Sequence, residues 1–105
     1  MSLRDEFRNL ERLTKDLISL LEEDQDSFWP LYLKRALPKL EQRQLAGATY
    51  LLGCFTGEGS MSDLVLASQY EQSDALRYRT ANARLTRLRN DLFASAQKIA
   101  SRQLW

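Results

Sequence analysis

The stretch SDALRYRTANARLTRLRNDLFASAQKIASRQL, residues 73 to 104, decides the fold because it contains neither glycine nor proline. Apolar side chains recur in it at seven-residue intervals, at Tyr78, Leu85, Leu92 and Ile99. This spacing places them along one face of a helix. The sequence therefore predicts a long C-terminal helix over residues 74 to 103.

The start of the chain shows the same kind of period. Its apolar residues alternate in steps of three and four: Leu3, Phe7, Leu10, Leu13, Leu17, Ile18, Leu20 and Leu21. This pattern predicts a first helix over residues 3 to 23, followed by an acidic run up to Asp26. A second, short helix is expected from Pro30 to about Leu37. The aromatic rings of Phe28 and Trp29 at its start are expected to fill the core, and the alternative is that they anchor an interface.

The middle of the chain predicts further short helices. Pro38 removes a backbone donor, so a helix kinks or restarts there and continues to Phe55. Small residues around Gly47 leave room for another helix to cross closely. A last short helix is expected over residues 61 to 70. We thus predict one all-α domain, residues 1 to 105, built as a small bundle of four or five helices.

A glycine-rich loop lies in the middle of this pattern. Gly57 is placed to end a helix with positive φ, and Gly59 follows in the same structural loop. Ser60 can cap the next helix, and Asp63 in its first turn suits the positive end of the helix dipole. There are two alternatives: the loop could hold a phosphate, or Glu58 and Asp63 could form an acid/base group with Ser60. Without a P-loop lysine or a histidine, the architectural role is favoured.

The segment Gly57-x-Gly59-Ser60-x-x-Asp63-Leu64-Val65-Leu66 resembles one shared by a family of small uncharacterised bacterial proteins. In that family the loop typically reads Gly-Met-Gly-Ser-Phe-Asn-Asp-Leu, and here Glu58 replaces the methionine. The resemblance covers roughly residues 43 to 68. It implies a bacterial origin, a recurrent helix-loop-helix and an association with interaction or toxin-immunity contexts.

Residue usage narrows the possible chemistry. The chain has no histidine, which is the commonest acid/base near neutral pH and the commonest transition-metal ligand. Its single cysteine, Cys54, has no internal disulfide partner and is expected to be buried as a small apolar residue. We therefore expect no enzyme activity, no cofactor and no metal.

Charge is unevenly distributed along the chain. The first 26 residues carry four basic and eight acidic residues, whereas residues 74 to 105 carry seven basic and two acidic ones. Antiparallel or side-by-side packing of an acidic first helix and a basic last helix explains this. The candidate interaction surface on the last helix consists of Arg77, Arg84 and Arg87 on one face and Arg79 and Arg89 on an adjoining strip.

Two functions from different classes fit these observations. The first is a non-enzymatic module that binds a protein partner, in an immunity-type or regulatory role. The alternative is a nucleic-acid-associated protein that uses the basic last helix, which a net charge of only +1 disfavours. The apolar stripe of the last helix is longer than one small chain readily covers, so we also expect a homodimer. No apolar run approaches a membrane span, and the expected location is the cytoplasm.

Overall fold

Five α-helices form in the part of the chain that the structure describes. The computed structural model describes residues 2–24, 28–56 and 59–103. The helices are α1 (Leu3–Glu23), α2 (Phe28–Lys34), α3 (Leu37–Glu41), α4 (Leu45–Leu52) and α5 (Ala75–Gln103). These ranges contain no β-strand. The predicted all-α bundle with a long C-terminal helix is thereby confirmed, and α1 has the bounds that the sequence predicts.

Helices α1 and α5 pack antiparallel along most of their length. At one end, the carboxylate of Glu6 lies 2.7 Å from Nη1 of Arg102 and 3.5 Å from Nζ of Lys98. The Arg102 contact is an ion pair by distance, without the angle of a hydrogen bond. At the other end, Glu23 lies 3.8 Å from Arg84. The acidic first helix and the basic last helix thus pair with complementary charges.

The Glu6 pair differs from the others because Glu6 is only 3% exposed. A carboxylate removed from water in this way is costly unless a cation compensates it. The pair with Arg84 is exposed on both sides, and such pairs are worth about 0–1 kcal/mol. Removing the basic partners of Glu6 would therefore lower the free energy of unfolding more than removing the basic partner of Glu23.

The apolar stripe of α5 is covered within one chain. Its residues Leu85, Leu92 and Ile99 are at most 1% exposed and belong to the same core as α1 and α4. The 29 residues of α5 form one unbroken helix of about 43 Å, and the molecule is 49 Å long. The expectation that this stripe needs a second copy was wrong for these residues. At the start of α5, residues 75 to 80 are exposed except for Tyr78, the first residue of the stripe, which is half-buried.

The short helices α2, α3 and α4 close the core on the other side. Helix α2 begins at Phe28 and ends at Lys34, and α3 begins at Leu37 with Pro38 in its first turn, which confirms the predicted restart. The predicted continuation of one helix to Phe55 was wrong, because α3 ends at Glu41 and α4 is a separate helix that ends at Leu52. A side chain at Gly47 would place its Cβ 2.8 Å from Cδ2 and 3.2 Å from the backbone nitrogen of Leu40. The predicted close crossing at Gly47 is therefore confirmed, and α3 is the helix that crosses.

The connection between α4 and α5 is not the short helix predicted over residues 61 to 70. Its described part contains a 3₁₀ turn directly after α4, Gly53–Phe55, and two further ones, Met61–Asp63 and Ser68–Tyr70. Between the last two, residues 64–67 have no regular secondary structure: Leu64 is extended, and Ala67 has a left-handed backbone with φ 54°. The amide of Asn82 on α5 accepts from the N–H of Leu66 and donates to its carbonyl, both at 2.8 Å. A side chain thus supplies the backbone partners that a neighbouring strand would otherwise provide.

We predict that Asn82→Asp lowers the free energy of unfolding by about 1–3 kcal/mol. The carboxylate still accepts from Leu66 N–H, but it cannot donate to the carbonyls of Leu66 and Tyr78, which the amide contacts at 2.8 Å. Urea unfolding followed by circular dichroism measures the change. Asn90→Asp, the same substitution at an exposed position of α5, is the matched control. Equal losses in both variants would contradict a role for the Asn82 contacts.

Candidate interaction surface

The five arginines marked by the sequence have different structural environments. Arg89 is turned toward the connection, where its Nη1 donates to the carbonyls of Met61 at 3.0 Å, Ser62 at 3.3 Å and Leu64 at 3.4 Å. A guanidinium offers several donors in a fixed plane, which suits a cluster of carbonyl oxygens. Arg89 therefore fixes the 3₁₀ turn of residues 61 to 63 against α5.

Two further arginines contact neighbouring side chains. The guanidinium of Arg77 lies 4.0 Å from the centroid of the Tyr70 ring, a cation–π contact, and Arg84 pairs with Glu23. Arg79 and Arg87 are exposed and form no ion pair within the described part of the chain. The arginines thus do not form one continuous basic face.

The groove between α1 and α5 beside Arg84 carries charges of both signs. It has a volume of about 430 Å³. Its charged lining residues are Arg12, Asp16, Arg84, Arg87 and Asp91. A phosphate backbone entering this groove would meet two carboxylates as well as three guanidinium groups, and so gain little from its charge.

The described part of the glycine loop is closed by a hydrogen bond within the loop. Gly59 has φ +70°, a conformation that glycine adopts without strain, and its N–H donates to Oδ2 of Asp63 at 3.0 Å. Ser60 is buried, and its hydroxyl caps no helix. The predicted cap was therefore wrong, and Asp63 closes a loop instead of compensating a helix dipole. Gly57 and Glu58 lie outside the described residues.

The cleft next to this connection has a volume of about 280 Å³, and its charged groups take part in internal contacts. The Asp24 carboxylate accepts from the N–H of Ala67 at 3.0 Å, and Arg77 stacks on Tyr70. Within residues 2–24, 28–56 and 59–103, no group of His, Cys, Asp and Glu side chains could hold a metal ion. The same ranges contain no helix with the length and apolarity to cross a bilayer.

Large apolar side chains face solvent on α2. Phe28 is 63% exposed and Leu31 is 60% exposed, one turn apart on the same face of the helix. Trp29 and Tyr32 are half-buried at the margin of this face and pack against the core. We call these four residues the α2 patch. The expectation that Phe28 fills the core was therefore wrong.

Stacked aromatic rings support the α2 patch. The rings of Phe28 and Trp29 meet edge to face at 4.9 Å, and Tyr32 stacks on Tyr50 at 4.4 Å. The Tyr32 hydroxyl donates to the backbone carbonyl of Tyr50 at 3.1 Å, and burial raises the pKa of this hydroxyl, so it stays protonated. Lys39 lies 5.1 Å from the centroid of the Tyr50 ring. These contacts hold the patch against α4.

A local signal for the patch is present in the sequence. Pro30 and Leu33 are buried on the opposite side of α2, three residues apart. A helix of only seven residues that buries those two side chains turns Phe28 and Leu31 away from the core. The sequence analysis did not predict this exposure, because aromatic residues such as those of this segment are usually assigned to the core.

Comparisons with known proteins find no relative: no protein family, no curated protein and no solved structure matches the chain. The resemblance of residues 43 to 68 to a bacterial family therefore stays an expectation from the sequence. The surface must be interpreted from its own chemistry.

We predict that the Cys54 thiol of the native protein resists modification by a disulfide reagent at about pH 8. Cys54 is 2% exposed, and burial raises the pKa of its thiol to about 12. A raised pKa leaves less thiolate at a given pH, and the thiolate is the reactive form. Labelling is followed by absorbance, with the same protein in denaturing urea as the control. Equally fast labelling in both would show that Cys54 is accessible in the fold.

Proposed function

We propose that this protein is a non-enzymatic protein-binding module that contacts its partner through the α2 patch. The observation that carries this proposal is the exposure of Phe28 and Leu31, 63% and 60%, one turn apart on a short helix. Large apolar side chains grouped at a surface, with an aromatic among them, are typical anchors of protein interfaces. The stacked rings beneath them lower the entropy lost on binding, since the patch is held in place before a partner arrives.

The nucleic-acid alternative receives less support. It requires exposed and contiguous arginines on α5, yet Arg89 binds carbonyl groups, Arg84 pairs with Glu23 and Arg77 stacks on a ring. Of the five candidate arginines on α5, only Arg79 and Arg87 keep exposed guanidinium groups without such contacts in the described residues. Two phosphate contacts provide little affinity at physiological salt.

The proposed role is regulatory or immunity-type, in the cytoplasm of a bacterium. The resemblance of the glycine loop supports this context, and the binding of one protein by another is the activity that such a role needs. The protonated thiol of Cys54 and the absence of histidine from the sequence support a non-enzymatic protein.

Photo-crosslinking from α2 tests the protein-binding proposal. A photoreactive residue at Leu31 is expected to crosslink a partner in the native host, whereas one at Arg79, exposed on α5, is not. The crosslinked protein is identified by mass spectrometry, purified and titrated with the unmodified chain. We expect saturable binding that Leu31→Asp weakens at least tenfold and Arg79→Asp leaves unchanged. A purified candidate that binds Leu31→Asp as tightly as the native chain would contradict the proposal.

A homodimer is our second proposal. Because the stripe of α5 is largely buried, we now place the dimer surface at the start of α5. There Leu76, which lies outside the stripe, is 69% exposed, whereas Leu85, Leu92 and Ile99 of the stripe are buried in the core. Light scattering after size exclusion at micromolar concentration is expected to give twice 12.2 kDa for the native chain. Leu76→Glu should return the mass to that of one chain. A mass near 12.2 kDa for the native chain would contradict self-association.

A further inference from the structure

We propose that the partner segment bound by the α2 patch is an acidic helix that carries large apolar side chains. This inference rests on the proposed protein-binding function and names the chemistry of the partner. Its basis is the charge around the patch, the size of the patch and the position of the acidic end of α1.

The charged side chains that follow the patch along the chain are mostly basic. Arg35 lies four residues after Leu31, and it forms no ion pair within the described residues. Lys39 lies over the Tyr50 ring, which stacks on Tyr32 of the patch. Lys34 is paired with Glu22 at 3.0 Å, so Arg35 and Lys39 carry the uncompensated charge. A partner with carboxylates beside its apolar residues complements this arrangement.

The size of the patch argues against a second copy as the occupant. Two large side chains about 60% exposed leave roughly 200–300 Å² of apolar surface, whereas a standard interface needs about 800 Å² from each partner. In a symmetric dimer the same patch would also meet itself, which would bring Arg35 and Lys39 toward their own copies. A short helix that inserts one or two apolar side chains fits the area and the charge.

The neighbouring end of α1 argues against a lipid surface. Helix α1 ends in Glu22 and Glu23, and the side chain of Glu22 lies against Lys34 on α2. An anionic membrane lying flat on the patch would face these exposed carboxylates, which it repels.

Two synthetic helical peptides test the inference. Both have the same apolar residues, and one carries glutamates where the other carries lysines. Binding is measured with the Trp105→Phe variant. Trp29 in the α2 patch is then the single tryptophan, and its fluorescence reports binding. We expect the acidic peptide to bind about tenfold more tightly than the basic one, and to lose this advantage in about 0.5 M salt.

Charge-reversal variants at Arg35, directly after α2, and at Arg79 on α5 form a matched pair. Arg35→Glu should weaken binding of the acidic peptide about tenfold, because an attraction becomes a repulsion. Arg79→Glu makes the same change at an exposed position of α5 and should leave binding unchanged. Circular dichroism of both variants checks that the fold is intact.

Other outcomes overturn the inference. Equal affinities for the two peptides, tighter binding of the basic peptide, or binding of vesicles rich in anionic lipid without binding of the acidic peptide would each do so. The protein-binding function fails separately. A purified partner that depends on Leu31 but binds Arg35→Glu normally would leave that function standing and remove only the acidic partner.

Discussion

The antiparallel pairing of α1 with α5 is the constraint on which the rest of the structure depends. Helix α5 is the longest element, and its apolar stripe is stable in water only when another helix covers it. Helices α1 and α4 provide that cover together, and α1 also brings its carboxylates to the basic side chains of α5. The two long helices fix the length of the molecule, and the short helices then have only one open side of the core to fill.

The exposed patch follows from how that open side is filled. Helices α2, α3 and α4 are seven, five and eight residues long, so each makes at most about two turns. A helix of this length can bury one narrow face, and on α2 that face carries Pro30 and Leu33. The large apolar side chains on the opposite face of α2, Phe28 and Leu31, therefore face solvent. This packing limit and the proposed binding surface are two aspects of the same geometry.

The sequence predicts what local periodicity controls. It gives the bounds of α1, the single long helix α5, the restart at Pro38 and the close crossing at Gly47, because each depends on residues near one another in the chain. It fails over residues 61 to 70, where Asn82 binds Leu66 across a separation of 16 residues. Such a bond leaves no local pattern. The exposure of Leu31 was missed for a related reason, since burial depends on which neighbouring helix reaches that side of α2.

The connection between α4 and α5 is attached to the bundle both by polar side chains and by Met61 and Leu66, which are buried in the core. Asn82 binds Leu66, Arg89 binds the carbonyls near Met61, and Asp24 binds the N–H of Ala67. The backbone hydrogen bonds of the connection are local and lie within its own turns. Opening of the connection would therefore break the side-chain contacts and expose Met61 and Leu66, while the long helices keep their own pairing. The free energy of this opening, which exchange of the amide hydrogens reports, includes the cost of exposing those two apolar side chains.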